Sequence, residues 1–386
     1  IALFNDYPEF FSFQHRLELF QHAMKRRIIS FRSTEIDIDP EHIIESSFNQ
    51  LFFLPHKEWR YRIKIKYIHN AGIDLGGLRR DWFTKVTREL FNPNYGLFIA
   101  TEKNSYQPSR LSYANPDHLK FFKFAGMIIG RVLLQGENVD CHLTRSFLRQ
   151  ILHRKVSLKD LEDSDENIFN SLQYILNNDI DNDQYNEYYF EVDKNDYGIS
   201  KTIELKENGS DIKVTNESKS EFVDLMVDYH SRQSIIDQIN SFCDGFDSII
   251  PHRNIRIFTP GELDLLICGI PKIDVDDMRE NTKCTSPYTK SSRFVVLFFD
   301  SIKKWSNANL AKLLMFITGS SQVPANGFRH YKDIGNPITI QPGGGKERLP
   351  VAHTCFNTID LPEYETEEEL NQKLMLAINE DSFQLG

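Results

Sequence analysis

The residues best equipped for chemistry lie near the C-terminus, in the string Arg348-Leu349-Pro350-Val351-Ala352-His353-Thr354-Cys355-Phe356-Asn357. It is followed by Asp360-Leu361-Pro362-Glu363-Tyr364. Cys355 is a thiol in a loop, two residues after a potential base, His353. A free thiol is only slightly ionised at neutral pH, yet its thiolate is intrinsically a strong nucleophile. Such a group suits thioester exchange, in which a thiolate attacks a thioester and reactant and product are similar in energy. A second reading is open, a buried cysteine beside a packed histidine, and the two-residue spacing alone favours it.

The other cysteines are Cys141, Cys243, Cys268 and Cys284. The total of five is odd and no two stand at C-x-x-C spacing, which argues against a zinc site and against a disulfide framework. Free thiols fit a reducing compartment, cytoplasm or nucleus. At most one of them need be chemical; the rest read as small buried hydrophobes.

The chain that positions this loop has 386 residues, 40% hydrophobic and 26% charged, which is the composition of a folded protein with two or three domains. Its 29 Phe and 15 Tyr read as core. A net charge of −10 repels phosphate backbones and argues against nucleic acid as a partner, though charge alone names none. The apolar run at 121–134 is broken by Lys123 and Arg131, so no membrane span is expected. The first residue is Ile1 rather than Met, nothing near it reads as a signal or transit peptide, and the chain is expected to be a fragment of a longer protein.

Helical spacing covers residues 13–27 and 78–90, and Asn115-Pro116 reads as a helix start with Gly136 as its stop. Residues 61–68 alternate Tyr61, Ile63, Ile65 and Tyr67 with Arg62, Lys64 and Lys66, the pattern of a half-buried strand. Residues 160–220, rich in Asp, Asn, Glu and Tyr, read as a small separate subdomain, and helix returns from 220 to 269. Residues 281–292 are polar and aperiodic, a candidate linker. Two helices follow, the second stopped by Gly319, and a last one opens on a Thr366/Glu369 capping box.

As a whole, the string at 348–364 resembles the active-site signature of the HECT ubiquitin ligases, in which R-L-P, a small residue, H-T-C-F-N and L-P-x-Y follow in this order. It matches at Arg348, Leu349, Pro350, Ala352, His353, Thr354, Cys355, Phe356, Asn357, Leu361, Pro362 and Tyr364. The stretch Gly72-Ile73-Asp74-Leu75-Gly76-Gly77-Leu78-Arg79-Arg80-Asp81-Trp82-Phe83 resembles the family's G-x-D-x-G-G-x-x-R-E-W-F, with Asp81 in place of the usual Glu. No Gly-Lys-Ser/Thr follows those glycines, so they read as a tight strand-to-helix turn rather than a phosphate cradle. Asn92-Pro93, Asn115-Pro116-Asp117-His118-Leu119, Phe124-Ala125-Gly126 and the stretches 258–269 and 316–324 are further likenesses, while Met127 stands where the family commonly has a basic residue. The wording is nearest to the very large members that carry ubiquitin-associated and WWE modules upstream.

The resemblance implies an α+β, two-lobed HECT fold. A helix-dominated N-lobe would occupy 1–283, with a conjugating-enzyme-binding subdomain at about 160–245. A hinge would occupy 284–290, and a smaller α/β catalytic C-lobe 291–386. It further implies that Cys355 takes ubiquitin from a conjugating enzyme as a thioester and passes it to a substrate lysine. His353 and Thr354 would shape the loop and the thiol's electrostatics, and Phe383, fourth from the end, would anchor the tail during transfer. Ile168, Leu172 and Ile175 would form one wall of a hydrophobic groove for the conjugating enzyme, Phe222 and Met226 the other. The residues agree in part, since an apolar stripe in so polar a region suggests a partner; without the resemblance the same stripe reads as the subdomain's own core.

The implied partners are ubiquitin, a conjugating enzyme and protein substrates recognised by upstream regions, with no metal or organic cofactor, no nucleic acid and no membrane. One rival is a thiol hydrolase acting on ubiquitin conjugates, which needs a positioned His and an Asp or Asn; no distant triad stands out. The other is a non-catalytic scaffold that binds conjugating enzymes, against which the intact Cys355 loop argues.

Overall fold

The alternation at 61–67 forms the strand it predicts. In the computed structural model, which describes residues 10–68, 77–182, 187–196, 199–270 and 272–379, Tyr61, Ile63, Ile65 and Tyr67 point inward and the lysines and Arg62 outward. Among the described residues the strands in chain order are β1 (Ile29–Ile38), β2 (Tyr61–Tyr67), β3 (Phe98–Ala100), β4 (Tyr106–Pro108), β5 (Glu191–Asp196), β6 (Ile199–Glu204), β7 (Lys283–Cys284), β8 (Thr339–Pro342), β9 (Val351–His353) and β10 (Thr358–Leu361). Helices carry much of the rest, so the fold is α+β. No described helix is long and apolar enough to cross a membrane.

The chain divides into two compact units, one of residues 1–89, 128–140 and 264–386, the other of 90–127 and 141–263. In the first, β1 and β2 run parallel, with Ile36 opposite Ile65. Arg131, the charge that breaks the apolar run, is fully buried there and donates to the carbonyls of Trp59 and Tyr61. The C-terminal part of this unit holds a four-stranded sheet in the order β7-β8-β10-β9, β10 parallel to β8 and antiparallel to β9. Helices Arg293–Ile302, Asn307–Thr318 and Glu367–Asn379 bury Phe298, Ile302, Leu314, Ile317, Leu370 and Leu374 in one core. Gly319 caps the middle helix in the left-handed region (φ 75°). Thr366 caps the last one, but the Glu369 carboxylate returns to the Glu365 N–H rather than to Thr366, one residue earlier than the predicted box.

The stretch read as a linker has local structure. Cys284 pairs with Ile340 through β7, and the buried Tyr288 donates its hydroxyl to the Leu361 carbonyl at 3.1 Å. A two-residue strand leaves no periodicity to read. Ile273, Val275 and Met278 belong to the same core as the helices after 293.

In the second unit the Phe-rich segments are core: Phe98 meets Phe91, Phe122 and Phe147, and Phe147 meets Phe242. Gly126 lies against the Phe242 carbonyl and Gly245 against the Lys123 carbonyl, too close for any Cβ at either place. That reciprocal contact is the use of the glycine in Phe124-Ala125-Gly126. The polar subdomain has its own core around Phe190, with β5 and β6 as an antiparallel hairpin.

Candidate active site

Strand β9 ends at His353, the next three residues make a single 3-10 turn, and β10 begins at Thr358, which pairs with His353. Cys355 is therefore the central residue of a tight hairpin turn; its side chain lies outside the described residues. The turn closes on Asn357, whose backbone is left-handed (φ 49°) and which is fully buried. Asn is among the few L-residues that visit this region readily. Its side chain is spent on both sides: Nδ2 donates to the Asn336 carbonyl at 2.7 Å, and Oδ1 accepts from Arg80 Nη1 at 2.6 Å. A left-handed, doubly bonded Asn accounts for the residue type two places after the thiol.

His353 is 40% exposed, and its Nε2 lies 3.1 Å from Asp360 Oδ2. The second carboxylate oxygen accepts from Gln341 Nε2 at 2.6 Å, Gln341 being the register partner of Asp360 across β8 and β10. A carboxylate only accepts, so Nε2 carries the ring proton and Nδ1 is left to take one up. Sequence reading missed Asp360. The signal was available, since a hairpin pairing 353 with 358 puts 360 on the face of 353.

Tyr364 is buried, and its hydroxyl donates to the Arg348 carbonyl at 2.8 Å, which closes the loop that leads into β9. Thr354 is half-buried near Gly319, while Phe356 is 57% exposed. Elsewhere, burial pushes the Cys243 thiol up to about 12 and raises that of Cys284; both hold their protons at neutral pH. Cys141 and Cys268 are fully buried.

The candidate groove residues come together, three of them inside rather than on the surface. Leu172, Ile175 and Phe222 are 2%, 4% and 4% exposed and belong to the subdomain core; Ile168 and Met226 are only partly covered by it. Leu172, Ile175 and Phe222, read as part of an exposed stripe, are core because helices Glu166–Asn177 and Lys219–Ser231 pack on each other and on Phe190. Phe383 lies outside the described residues. Asp81, the departure from the expected Glu, still presents a carboxylate: it accepts from Tyr67 at 2.8 Å and pairs with Lys85 at 2.8 Å. Met127 is buried.

The family model described as "HECT-domain (ubiquitin-transferase)" matches residues 84–386. Curated relatives include the E3 ubiquitin-protein ligase ptr1 of Schizosaccharomyces pombe, 38% identical over 98% of this chain and 12% of that protein. TOM1 of Saccharomyces cerevisiae is 38% identical over 98% of this chain and 12% of its own length. HUWE1 of Mus musculus is 35% identical over 100% of this chain and 9% of its own. The chain thus spans about an eighth or less of the length of these relatives.

Proposed function

The chain belongs to the HECT-domain ubiquitin-transferase family, and on that premise we propose that it carries ubiquitin on Cys355 as a thioester, from a conjugating enzyme to a substrate lysine. The observation that supports this most is the hairpin turn itself, with Cys355 at its centre, an oriented histidine before it and a doubly bonded asparagine after it. The Cys355 thiolate attacks the carbonyl of the incoming thioester and the donor's cysteine leaves as thiolate. The lysine amine then attacks the new thioester, Cys355 leaves as thiolate, and the amine gives up a proton. His353, with Nδ1 left as acceptor, is the residue in this loop able to take that proton.

Substrates recognised by upstream regions, a cytoplasmic or nuclear location and a pivot at 284–290 complete the proposal. Phe383 is proposed to anchor the tail during transfer to lysine. Phe383→Ala should then load at a near-normal rate and discharge slowly in a pulse-chase; loading and discharge falling together would remove that role.

The main test mixes the protein with activating enzyme, several conjugating enzymes and ubiquitin, and compares reducing with non-reducing gels. A reducible adduct should form, vanish in Cys355→Ala and become reductant-resistant in Cys355→Ser. An adduct that persists in Cys355→Ala overturns the assignment. The His353–Asp360 pair would also serve a thiol hydrolase; release of free ubiquitin from conjugates, without new conjugates, would favour that reading.

A further inference from the structure

The glycine turn read at 72–77 lies, up to residue 76, outside the described residues, but the helix that follows it is described. Arg80, in helix Gly77–Leu90, is 7% exposed. Its Nη1 donates to the Thr318 carbonyl at 2.8 Å and to Asn357 Oδ1 at 2.6 Å, and its Nε lies 3.2 Å from Glu137 Oε2. Arg79 Nη2 holds the other oxygen of Glu137 at 2.9 Å. Burial opposes the ionisation of Glu137, but Arg80 and Arg79 outweigh it and hold the carboxyl below its usual range. Thr318 is the last residue of helix Asn307–Thr318, where carbonyls lack partners within the helix and carry partial negative charge. One guanidinium therefore ties a helix end to the residue that closes the Cys355 turn, 277 positions away in sequence. All of these residues belong to one compact unit.

We propose that Arg80 is a positioning residue for thioester transfer: through Asn357 it docks the turn that bears Cys355, and Glu137 holds its guanidinium in place. The proposal rests on the function read above. Arg80 and Asn357 lie on either side of the pivot proposed at 284–290, so the bond serves the transfer made in this docked geometry, and a loosened turn lowers the rate of that step without weakening the encounter with the loaded conjugating enzyme. Lysine at this position keeps a cation beside Glu137 but lacks the planar fork that reaches two acceptors at once.

The test compares the parent with Arg80→Lys, Asn357→Ala and the double variant, each checked for its melting temperature. Single-turnover loading or discharge, whichever is made in the docked geometry, should fall about tenfold or more in each single variant, with KM for the loaded conjugating enzyme unchanged. The double variant should be no slower than Asn357→Ala. Amide hydrogen exchange of the peptide spanning 351–358 should rise about tenfold in both single variants, a readout that needs no ubiquitin. Rates at or above the parent's, additive losses, or unchanged exchange overturn the proposal. A parent protein that forms no thioester would sink the functional reading instead, and the exchange measurement would still decide whether Arg80 docks the turn.

Discussion

His353 and Asp360 meet across the β9–β10 hairpin, ring nitrogen to carboxylate at 3.1 Å, although neither is the other's register partner. Thr358 opposes His353, and Asp360 stands two residues further on the same face, a diagonal neighbour. Gln341 holds the far oxygen of Asp360. The imidazole is thus fixed in tautomer and rotation from a strand interior, while Cys355 is a residue of the turn.

Asp360→Asn should slow discharge of the thioester about tenfold to a hundredfold, because an amide can turn its N–H₂ toward the ring and fix the opposite tautomer. Asp360→Asn added to His353→Ala should cost nothing further. The measurement is single-turnover discharge to lysine. Discharge at the parent's rate in a folded Asp360→Asn protein would mean that the hydrogen bond is only structural.

The two walls of the candidate groove should separate into core and contact. Phe222→Ala, which empties a buried site, should cost about 3–5 kcal/mol of stability. Ile168→Ala and Met226→Ala remove half-covered side chains and should cost about 1 kcal/mol or less. Each should still weaken conjugating-enzyme binding about tenfold if the partner lies on this edge. Denaturant melts and titration calorimetry read the two effects independently. Full affinity in Ile168→Ala and Met226→Ala together would move the binding surface elsewhere.

Acid should destabilise the second unit through His230. Burial, with the charge of Arg110, lowers its pKa from 6.5 to about 4, so the folded protein keeps the ring neutral where the unfolded chain protonates it. The stability this contributes is whole above pH 6.5 and is lost as pH falls from 6.5 toward 4, with an upper limit of about 1.4 kcal/mol per unit. The ring is partly exposed, so about 1 kcal/mol between pH 6.5 and 5 is the reasonable size. Urea melts at pH 7, 6 and 5 should show a shallower fall for His230→Gln than for the parent. Equal slopes would contradict the assignment.

What could be read from the residues was what local spacing encodes. The alternation at 61–67 and the Gly319 stop are set by neighbours in sequence and were legible; Asn115 accepts from the Asp117 N–H at 2.9 Å, but the helix begins at His118, two residues after the Pro116 start that was expected. The loop around Cys355 was legible as a string, but not why it has those letters. The left-handed backbone of Asn357, the diagonal of Asp360 and the grip of Arg80 depend on residues brought together by the sheet and by a helix far upstream. The stripe at 168–175 shows the opposite difficulty: periodicity gives a buried face and a docking face the same signature, and only the packing around Phe190 tells them apart.

Arg131 gives its helix, His118–Gln135, a property that apolar contact cannot supply. Greasy surfaces slide: a helix held only by Leu, Ile and Val can shift by one turn, about 5.4 Å, and find similar contacts. A guanidinium fitted to the carbonyls of Trp59 and Tyr61 has a single address, and any other placement strands a buried charge. The position of Arg131 against the carbonyls of Trp59 and Tyr61 is therefore counted in whole residues rather than averaged over a smooth well. Replacing Arg131 by Leu or Met would cost the molecule its ruler before it cost the helix its attachment.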